Sequence, residues 1–168
     1  MNPTLALGLT LVGLALAGYG VSALVRRHRE RRWGSLASID TTHRPSLRAP
    51  RIGLVGRPDE VRRQPDGRLV PIELKSRPSP RGGPSTSHRI QVESYLLLLE
   101  ESSGRVPRSG VIRYSDGGEW IVPWNASARQ EVLDLLHEVR EPYDGRATPS
   151  PGRCAHCRWR PVCDVRAA

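Results

Sequence analysis

Two carboxylates and a lone lysine are the residues of this chain whose types and spacing most clearly indicate chemistry. Lysine and arginine together number 26, and Lys75 is the single lysine among them. An arginine guanidinium is bulky and planar, whereas a lysine ammonium is a compact point charge. Glu73 lies two residues before Lys75, and Asp59 lies fourteen residues before Glu73. This pattern indicates a site that needs a compact cation beside two acidic groups.

The chemistry that suits this set is metal-assisted hydrolysis of a phosphodiester. Carboxylates on facing strands, about 4.8 Å apart, can share one divalent cation, and Mg²⁺ takes only one or two protein carboxylates. Residues i and i+2 of a strand share a face, so Lys75 is expected beside Glu73, with Leu74 between them pointing into the core. Lys75 can then hold or deprotonate an attacking water while the metal neutralises charge on the phosphate. The alternative is a surface salt bridge, which would contribute little to stability.

A β-hairpin is the element that would bring the two carboxylates together. Residues 59–63 and 69–75 read as strands around Pro65-Asp66-Gly67, a turn sequence of the Asp-Gly kind. A short strand is predicted at 52–55, a second hairpin at 111–114 and 120–124, and helices at 87–102 and 126–141. This order predicts an α/β fold in which a mixed sheet is flanked by helices.

The first predicted helix carries polar side chains towards the same site. Gln91 and Tyr95 are four residues apart and therefore share a helix face. His88 lies near the start of this helix, which Ser87 is expected to cap, and is a candidate phosphate contact. An ordinary amphipathic helix with a half-buried tyrosine would show the same spacing.

The residues quoted so far resemble the RecB-like branch of the PD-(D/E)xK nucleases, and above all the CRISPR-associated exonuclease family that carries an iron–sulfur cluster. The resemblance covers roughly residues 53–163 and rests on the segments 56–59, 71–76 and 88–95 and on three cysteines. It implies a restriction-endonuclease-like core in which Asp59, Glu73 and the backbone carbonyl of Leu74 bind Mg²⁺ or Mn²⁺. It also implies a catalytic Lys75, with Gln91 and Tyr95 supporting the site and contacting DNA.

Two departures from the family pattern concern metal ligands. Family members usually have a metal-binding histidine upstream of the aspartate. The upstream histidines here are His28, in a basic run, and His43, in a predicted linker; neither is assigned that role, and Asp40 is an alternative.

The cysteines are the second departure. The resemblance implies an iron–sulfur site at Cys154, Cys157 and Cys163, but the fourth cysteine that a cuboidal cluster requires is absent. Zinc, or no metal at all, is the alternative for this segment.

The N-terminal segment is predicted to cross a membrane. Residues 5–25 hold no charged side chain, and at about 1.5 Å per residue they can span a hydrocarbon core of roughly 30 Å. Arginines follow from Arg26 onwards, so the positive-inside rule places the rest of the chain in the cytoplasm. A cleaved signal peptide is the competing interpretation, but no basic residue precedes the apolar run.

These observations predict a single-pass protein of the cell membrane that acts as a metal-dependent DNA nuclease, an exonuclease rather than an endonuclease, on single strands or ends. The formal net charge of +9 is consistent with a polyanionic partner. The alternatives are a catalytically weak nuclease fold that binds DNA as a scaffold, and a membrane-bound cysteine-metal adaptor. The expected parts are a transmembrane anchor (1–25), a basic juxtamembrane segment and linker (26–51), a nuclease core (52–141) and a cysteine metal-binding segment (142–168).

Overall fold

The structure is a computed structural model that describes residues 3–39, 46–141 and 149–164 of the chain. The chain divides into two compact units, Met1–Val132 and Leu133–Ala168. The helices are α1 (Pro3–Trp33), α2 (Thr86–Ser103), α3 (Ala126–Arg140) and α4 (Pro151–Ala155), with 3-10 turns at Pro50–Ile52 and Arg160–Val162. The strands are β1 (Ser35–Ile39), β2 (Leu47–Ala49), β3 (Leu54–Gly56), β4 (Glu60–Arg63), β5 (Leu69–Lys75), β6 (Ser109–Tyr114) and β7 (Glu119–Pro123).

A five-stranded mixed sheet forms the centre of the first unit, which confirms the predicted fold class of a mixed sheet flanked by helices. Its strand order is β1-β4-β5-β6-β7. Strands β5 and β6 run parallel, and the other neighbouring pairs are antiparallel. Parallel neighbours need a crossover connection, which α2 supplies between β5 and β6.

Both predicted hairpins are present. The β4–β5 turn contains Gly67 at φ 82°, and the Gly67 N–H donates to the Gln64 carbonyl at 2.9 Å. The β6–β7 turn likewise contains Gly117 at φ 86°. A left-handed backbone of this kind favours glycine, so the Asp-Gly sequences determine where these strands reverse.

Helix α2 is covered on two sides, which explains its run of four leucines. Ser85 caps the helix by accepting from the His88 N–H, whereas Ser87 was the predicted cap. Leu96–Leu99 are all buried. One side of α2 packs on β5 and β6, and the other contacts the two-stranded sheet of β2 and β3 through a cluster that contains Ala49, Tyr95 and Leu98.

The segment predicted as a juxtamembrane region and linker, 26–51, contains the two strands β1 and β2. β1 pairs with β4 at the edge of the main sheet, with Ser35 opposite Arg63 and Ile39 opposite Glu60. β2 pairs with β3. The sequence pattern does not predict these strands because an edge strand forms its hydrogen bonds with a partner distant in sequence. The local composition of such a strand can therefore resemble that of a loop.

Helix α1 begins in the segment predicted as a membrane anchor and continues through the basic run to Trp33. Trp33 is buried and packs with Val70, Ile72 and Val111 on the sheet face opposite α2. Among the residues that the structure describes, no helix combines the length and the apolar character needed to cross a membrane.

Candidate active site

The β4–β5 register brings the two predicted carboxylates together. Glu60 faces Ile72, so Asp59, immediately before β4, lies beside Glu73 near the end of β5. The Asp59 carboxylate accepts a hydrogen bond from the Leu74 N–H at 2.6 Å. Asp59 is half-buried, and Glu73 is 6% exposed. The turn and the strand pairing therefore produce the facing carboxylates that the sequence predicted.

Lys75 extends this pair towards α2. Its Nζ lies 2.7 Å from Glu73 Oε1 and 2.7 Å from Gln91 Oε1. The Gln91 amide in turn donates to the Tyr95 hydroxyl at 3.0 Å. The i+2 spacing on β5 and the i+4 spacing on α2 thus place four predicted site residues in one continuous hydrogen-bonded chain.

Leu74 does not point into the core, contrary to the prediction. Its side chain is 45% exposed on the sheet face opposite Lys75. Ile72, two residues earlier on that face, is covered by Trp33, whereas Leu74 lies farther along β5. Only the Leu74 backbone, through its N–H, contacts the acidic pair.

The acidic pair has an electrostatic feature that favours a cation. Burial raises the pKa of the Glu73 carboxyl above its ordinary range. The hydrogen bond from Lys75 opposes this shift, and the neighbouring Asp59 charge adds to it. A bound divalent cation would relieve the repulsion between the two carboxylates.

The donor set at this point suits Mg²⁺ or Mn²⁺. Two carboxylates and one backbone carbonyl leave room for the several waters that Mg²⁺ retains. The residues that would hold the ion are Asp59, Glu73 and the Leu74 carbonyl. Of the upstream alternatives, Asp40 and His43 lie outside the described residues, whereas His28 lies on α1, on the other side of the sheet.

His88 and Tyr114 form a second pair beside Lys75. His88 Nδ1 lies 3.1 Å from the Tyr114 hydroxyl, and Tyr114 is the residue of β6 that pairs with Lys75. Burial lowers the pKa of His88, and the Lys75 and Arg77 charges lower it further. Tyr114 is not among the site residues predicted from the sequence. It could have been found from its position at the carboxyl end of the strand that follows the crossover helix, because the carboxyl ends of parallel strands lie at the same edge of a sheet.

The three cysteines lie near the C-terminal end of the described residues. Cys154 lies on α4, Cys157 follows it, and Cys163 ends the last 3-10 turn. Cys157 is exposed and the other two are half-buried. In the described part of the chain, no three His, Cys, Asp or Glu side chains are grouped so as to hold a metal ion. A cuboidal cluster needs four ligands, so the three thiols would need a further ligand to hold one.

Comparison with known proteins identifies the family of the chain. Residues 14–164 match the model of the PD-(D/E)XK nuclease superfamily. A CRISPR-associated exonuclease Cas4 from Thermoproteus tenax is 26% identical over 102 residues, which cover 58% of this chain and 53% of that protein, so the chain spans about half the length of this relative. The crystal structure of SSO0001 aligns with a TM-score of 0.45 and 17% identity, over 97% of this chain and 76% of the other. Because the family match extends over most of its length, the chain belongs to the PD-(D/E)XK nuclease superfamily.

Proposed function

We propose that this protein is a divalent-metal-dependent DNA nuclease that hydrolyses phosphodiester bonds, as an exonuclease on single strands or DNA ends. The observation that carries the proposal is the position of Lys75 Nζ, 2.7 Å from Glu73 and 2.7 Å from Gln91, with Asp59 facing Glu73. The similarity to a Cas4 exonuclease supports the exonuclease assignment.

Each residue of the site has a distinct task in this mechanism. Asp59 and Glu73 would hold a Mg²⁺ or Mn²⁺ ion, which when bound supplies Lewis-acid stabilisation of the phosphate charge. Lys75 donates hydrogen bonds to the attacking water and to the scissile phosphate, where negative charge develops. Gln91 holds Lys75 in position, and the Tyr95 hydroxyl holds Gln91. His88, which contacts the Tyr114 hydroxyl, would contact a neighbouring phosphate of the strand.

A nuclease assay with matched variants tests the proposal. Purified protein is given 5′-labelled and 3′-labelled single-stranded DNA, duplex DNA and RNA, with Mg²⁺, Mn²⁺ or EDTA. Wild type is expected to degrade DNA only with metal, and Lys75→Ala and Asp59→Ala should each lose about 100-fold or more in rate. Leu74→Ala is the matched control, because it changes the residue between Glu73 and Lys75 while keeping the backbone carbonyl.

The same assay can overturn the proposal. If wild type cleaves no substrate with either metal, or if Lys75→Ala and Asp59→Ala cleave as fast as wild type, this site is not hydrolytic. Circular dichroism and thermal melting show whether each variant is folded, so that loss of activity is not mistaken for unfolding.

A catalytically weak DNA-binding scaffold is the second candidate function. One observation favours it: within the described ranges, Asp59 and Glu73 are not joined by a third His, Cys, Asp or Glu to complete a metal site. Under this alternative the protein would retain labelled DNA in a gel-shift assay while releasing no product with either metal.

We propose membrane attachment through α1 as a separate property, with the nuclease unit in the cytoplasm. Its support is a set of apolar side chains on α1 that are exposed on several faces, with Leu14, Leu16, Tyr19, Val21 and Leu24 each more than 60% exposed. A helix that is apolar all round is stable only when it is covered. Cell fractionation followed by alkaline carbonate extraction tests this. Recovery of the full chain in the soluble fraction would contradict it.

Metal binding by the cysteine segment is a third proposal, supported by the Cys154-x₂-Cys157-x₅-Cys163 spacing. The thiols would have to gather, with a further ligand, to hold iron–sulfur or zinc. Metal analysis and visible absorption of anaerobically purified protein, compared with Cys157→Ser, test it. Iron with a brown colour supports the cluster, and one zinc per chain supports the alternative. Wild type that contains neither metal contradicts both.

A further inference from the structure

A buried arginine with one unpaired nitrogen lies on the sheet face opposite Lys75. Arg113 pairs with Leu74 in the β5–β6 register, whereas Tyr114 pairs with Lys75, so the two cations point to opposite faces. Arg113 is 7% exposed. Its Nε donates to Glu119 at 2.8 Å and its Nη1 to Glu60 at 3.3 Å, but Nη2 has no hydrogen-bond partner among the described residues. An unpaired guanidinium nitrogen in a buried position is costly and indicates an absent acceptor.

The Arg113 side chain lines a cavity of about 410 Å³ between α1 and the β6–β7 hairpin. The α1 residues around this cavity include His28, Arg29 and Arg32. Arg29 is half-buried, unlike Arg27 and Arg31 of the same basic run, which are exposed and do not line the cavity. One stripe of the basic run therefore faces the sheet.

The cavity has surplus positive charge. Its single lining carboxylate, Glu119, accepts from Arg113, from Trp33 Nε1 at 3.2 Å and from Arg32 Nη1 at 3.2 Å. Arg32 and Arg113 thus neutralise this carboxylate, and Arg29 adds a further positive charge to the lining. Leu24 and Val25 line the same cavity and are exposed, so one side of it is apolar.

We propose that this cavity is a binding site for a phosphate monoester group, with Arg29 and Arg32 as its donors and the buried Arg113 guanidinium as a positive charge behind them. Guanidinium groups match phosphate oxygens in geometry and charge. The phosphate can come from a lipid headgroup such as phosphatidic acid, whose acyl chains would lie along Leu24 and Val25, or from free phosphate. Basic pockets beside apolar helices are typical binding sites for anionic headgroups. The site lies on the other face of the sheet from Lys75 and does not depend on the proposed nuclease activity.

Isothermal titration calorimetry on the full chain tests the proposal. The probes are inorganic phosphate, dihexanoyl phosphatidic acid and, as a neutral control, dihexanoyl phosphatidylcholine. Wild type should bind at least one of the first two probes and not the third. Arg29→Gln/Arg32→Gln should weaken that binding by about tenfold or more, because two charge-assisted hydrogen bonds are lost. Tighter binding of phosphatidic acid than of phosphate identifies the lipid source, and equal binding identifies the free anion.

The matched control is Arg27→Gln/Arg31→Gln, which removes the same charge from the same helix outside the cavity. It should change affinity by about twofold or less at 0.15 M salt, where distant exposed charges are screened. Arg29→Gln alone serves if the Arg29→Gln/Arg32→Gln variant fails to fold.

Three outcomes would overturn the proposal. Neither anionic probe binds, both double variants weaken probe binding equally, or Arg29→Gln/Arg32→Gln weakens oligonucleotide binding as much as probe binding. Nuclease activity should be unchanged in both double variants.

Discussion

Lys75 is the residue on which the proposed chemistry depends, and its surroundings explain why it is not an arginine. The ammonium lies between two oxygens at 2.7 Å, a spacing that suits a point charge. A guanidinium at this position would have to displace Gln91 or Glu73 because its planar fork is larger. The site at position 75 therefore requires a cation of the size of an ammonium group as well as a positive charge.

The first prediction concerns Lys75→Arg. We expect the rate of DNA cleavage to fall by about 100-fold or more, since the charge remains but the hydrogen bonds move away from the reacting atoms. Affinity for DNA, measured by fluorescence anisotropy in Ca²⁺, should change by less than about threefold, because the net charge is unchanged. Wild-type cleavage by Lys75→Arg would show that a compact ammonium is not required.

The second prediction concerns the support behind Lys75. Tyr95→Phe removes the hydroxyl that accepts from Gln91 at 3.0 Å. We expect kcat to fall about fivefold with little change in KM, which corresponds to the loss of one hydrogen bond worth about 1 kcal/mol. Tyr19→Phe is the control, because Tyr19 is 76% exposed on α1. A change in KM alone would place Tyr95 in substrate binding and not in positioning.

At the scale of elements, an ion cluster joins α2 to the start of α3. Arg89 donates to both oxygens of Glu93 at 2.8 Å and to both oxygens of Glu131 at 2.7 and 2.8 Å. Glu93 is 2% exposed. A buried carboxylate without a partner is destabilising, so Arg89 is the residue that allows Glu93 to lie inside the fold.

The third prediction follows from this cluster. Arg89→Ala should lower the free energy of unfolding at pH 7 by about 1–3 kcal/mol, the cost of leaving a buried group unpaired, and Glu93→Gln in the same chain should restore most of it. Urea denaturation measures both. Arg68→Ala, which breaks an exposed pair with Asp66, should leave stability nearly unchanged. Equal effects of Arg89→Ala and Arg68→Ala would contradict the role of burial.

The effect of Arg89→Ala should also depend on pH. Burial already raises the pKa of Glu93 above its ordinary value of 4.5, and Arg89 opposes that shift. A carboxyl whose pKa is raised in the folded state stabilises the fold at a pH below its unfolded-state pKa. This stabilisation is lost as the pH rises through the folded-state pKa. Removing Arg89 raises the pKa of Glu93 further, because the opposing charge is lost. The loss of unfolding free energy caused by Arg89→Ala should therefore be largest at pH 7, where Glu93 is ionised, and should shrink towards pH 4.5. A deficit that is constant over this range would exclude Glu93 as its source.

At the scale of the whole molecule, the net charge of +9 predicts how the proposed DNA binding would respond to salt. Neutralising phosphates releases counterions, so affinity falls linearly on a logarithmic scale of salt concentration. In the proposed function, basic residues spread over the surface would supply this attraction, and the Lys75 site would supply the chemistry.

The fourth prediction is that affinity for a single-stranded oligonucleotide weakens at least about tenfold between 50 and 200 mM NaCl. Fluorescence anisotropy in Ca²⁺ measures binding without cleavage. In a plot of the logarithm of affinity against the logarithm of salt concentration, the slope for Lys75→Ala should lie within about one unit of the wild-type slope, because one phosphate contact contributes about one unit. An affinity that does not change with salt would exclude an electrostatic interface.

The sequence by itself determined the central hairpin and the side chains it brings together. The Asp-Gly turn fixes the register of β4 and β5, and strand alternation places Glu73 and Lys75 on one face, because both rules depend only on neighbouring residues. The helix spacing of Gln91 and Tyr95 is local in the same sense. These are the residues that the structure joins by hydrogen bonds.

Only the tertiary structure decided which surfaces are covered. β1 became a strand because β4 supplies its hydrogen bonds. Leu74 is exposed although Ile72 and Glu73 before it are buried, because the covering Trp33 lies over Ile72. The grouping of Arg113 with the basic stripe of α1 likewise joins residues more than eighty positions apart. Such contacts depend on long-range packing, which periodicity and turn chemistry do not encode.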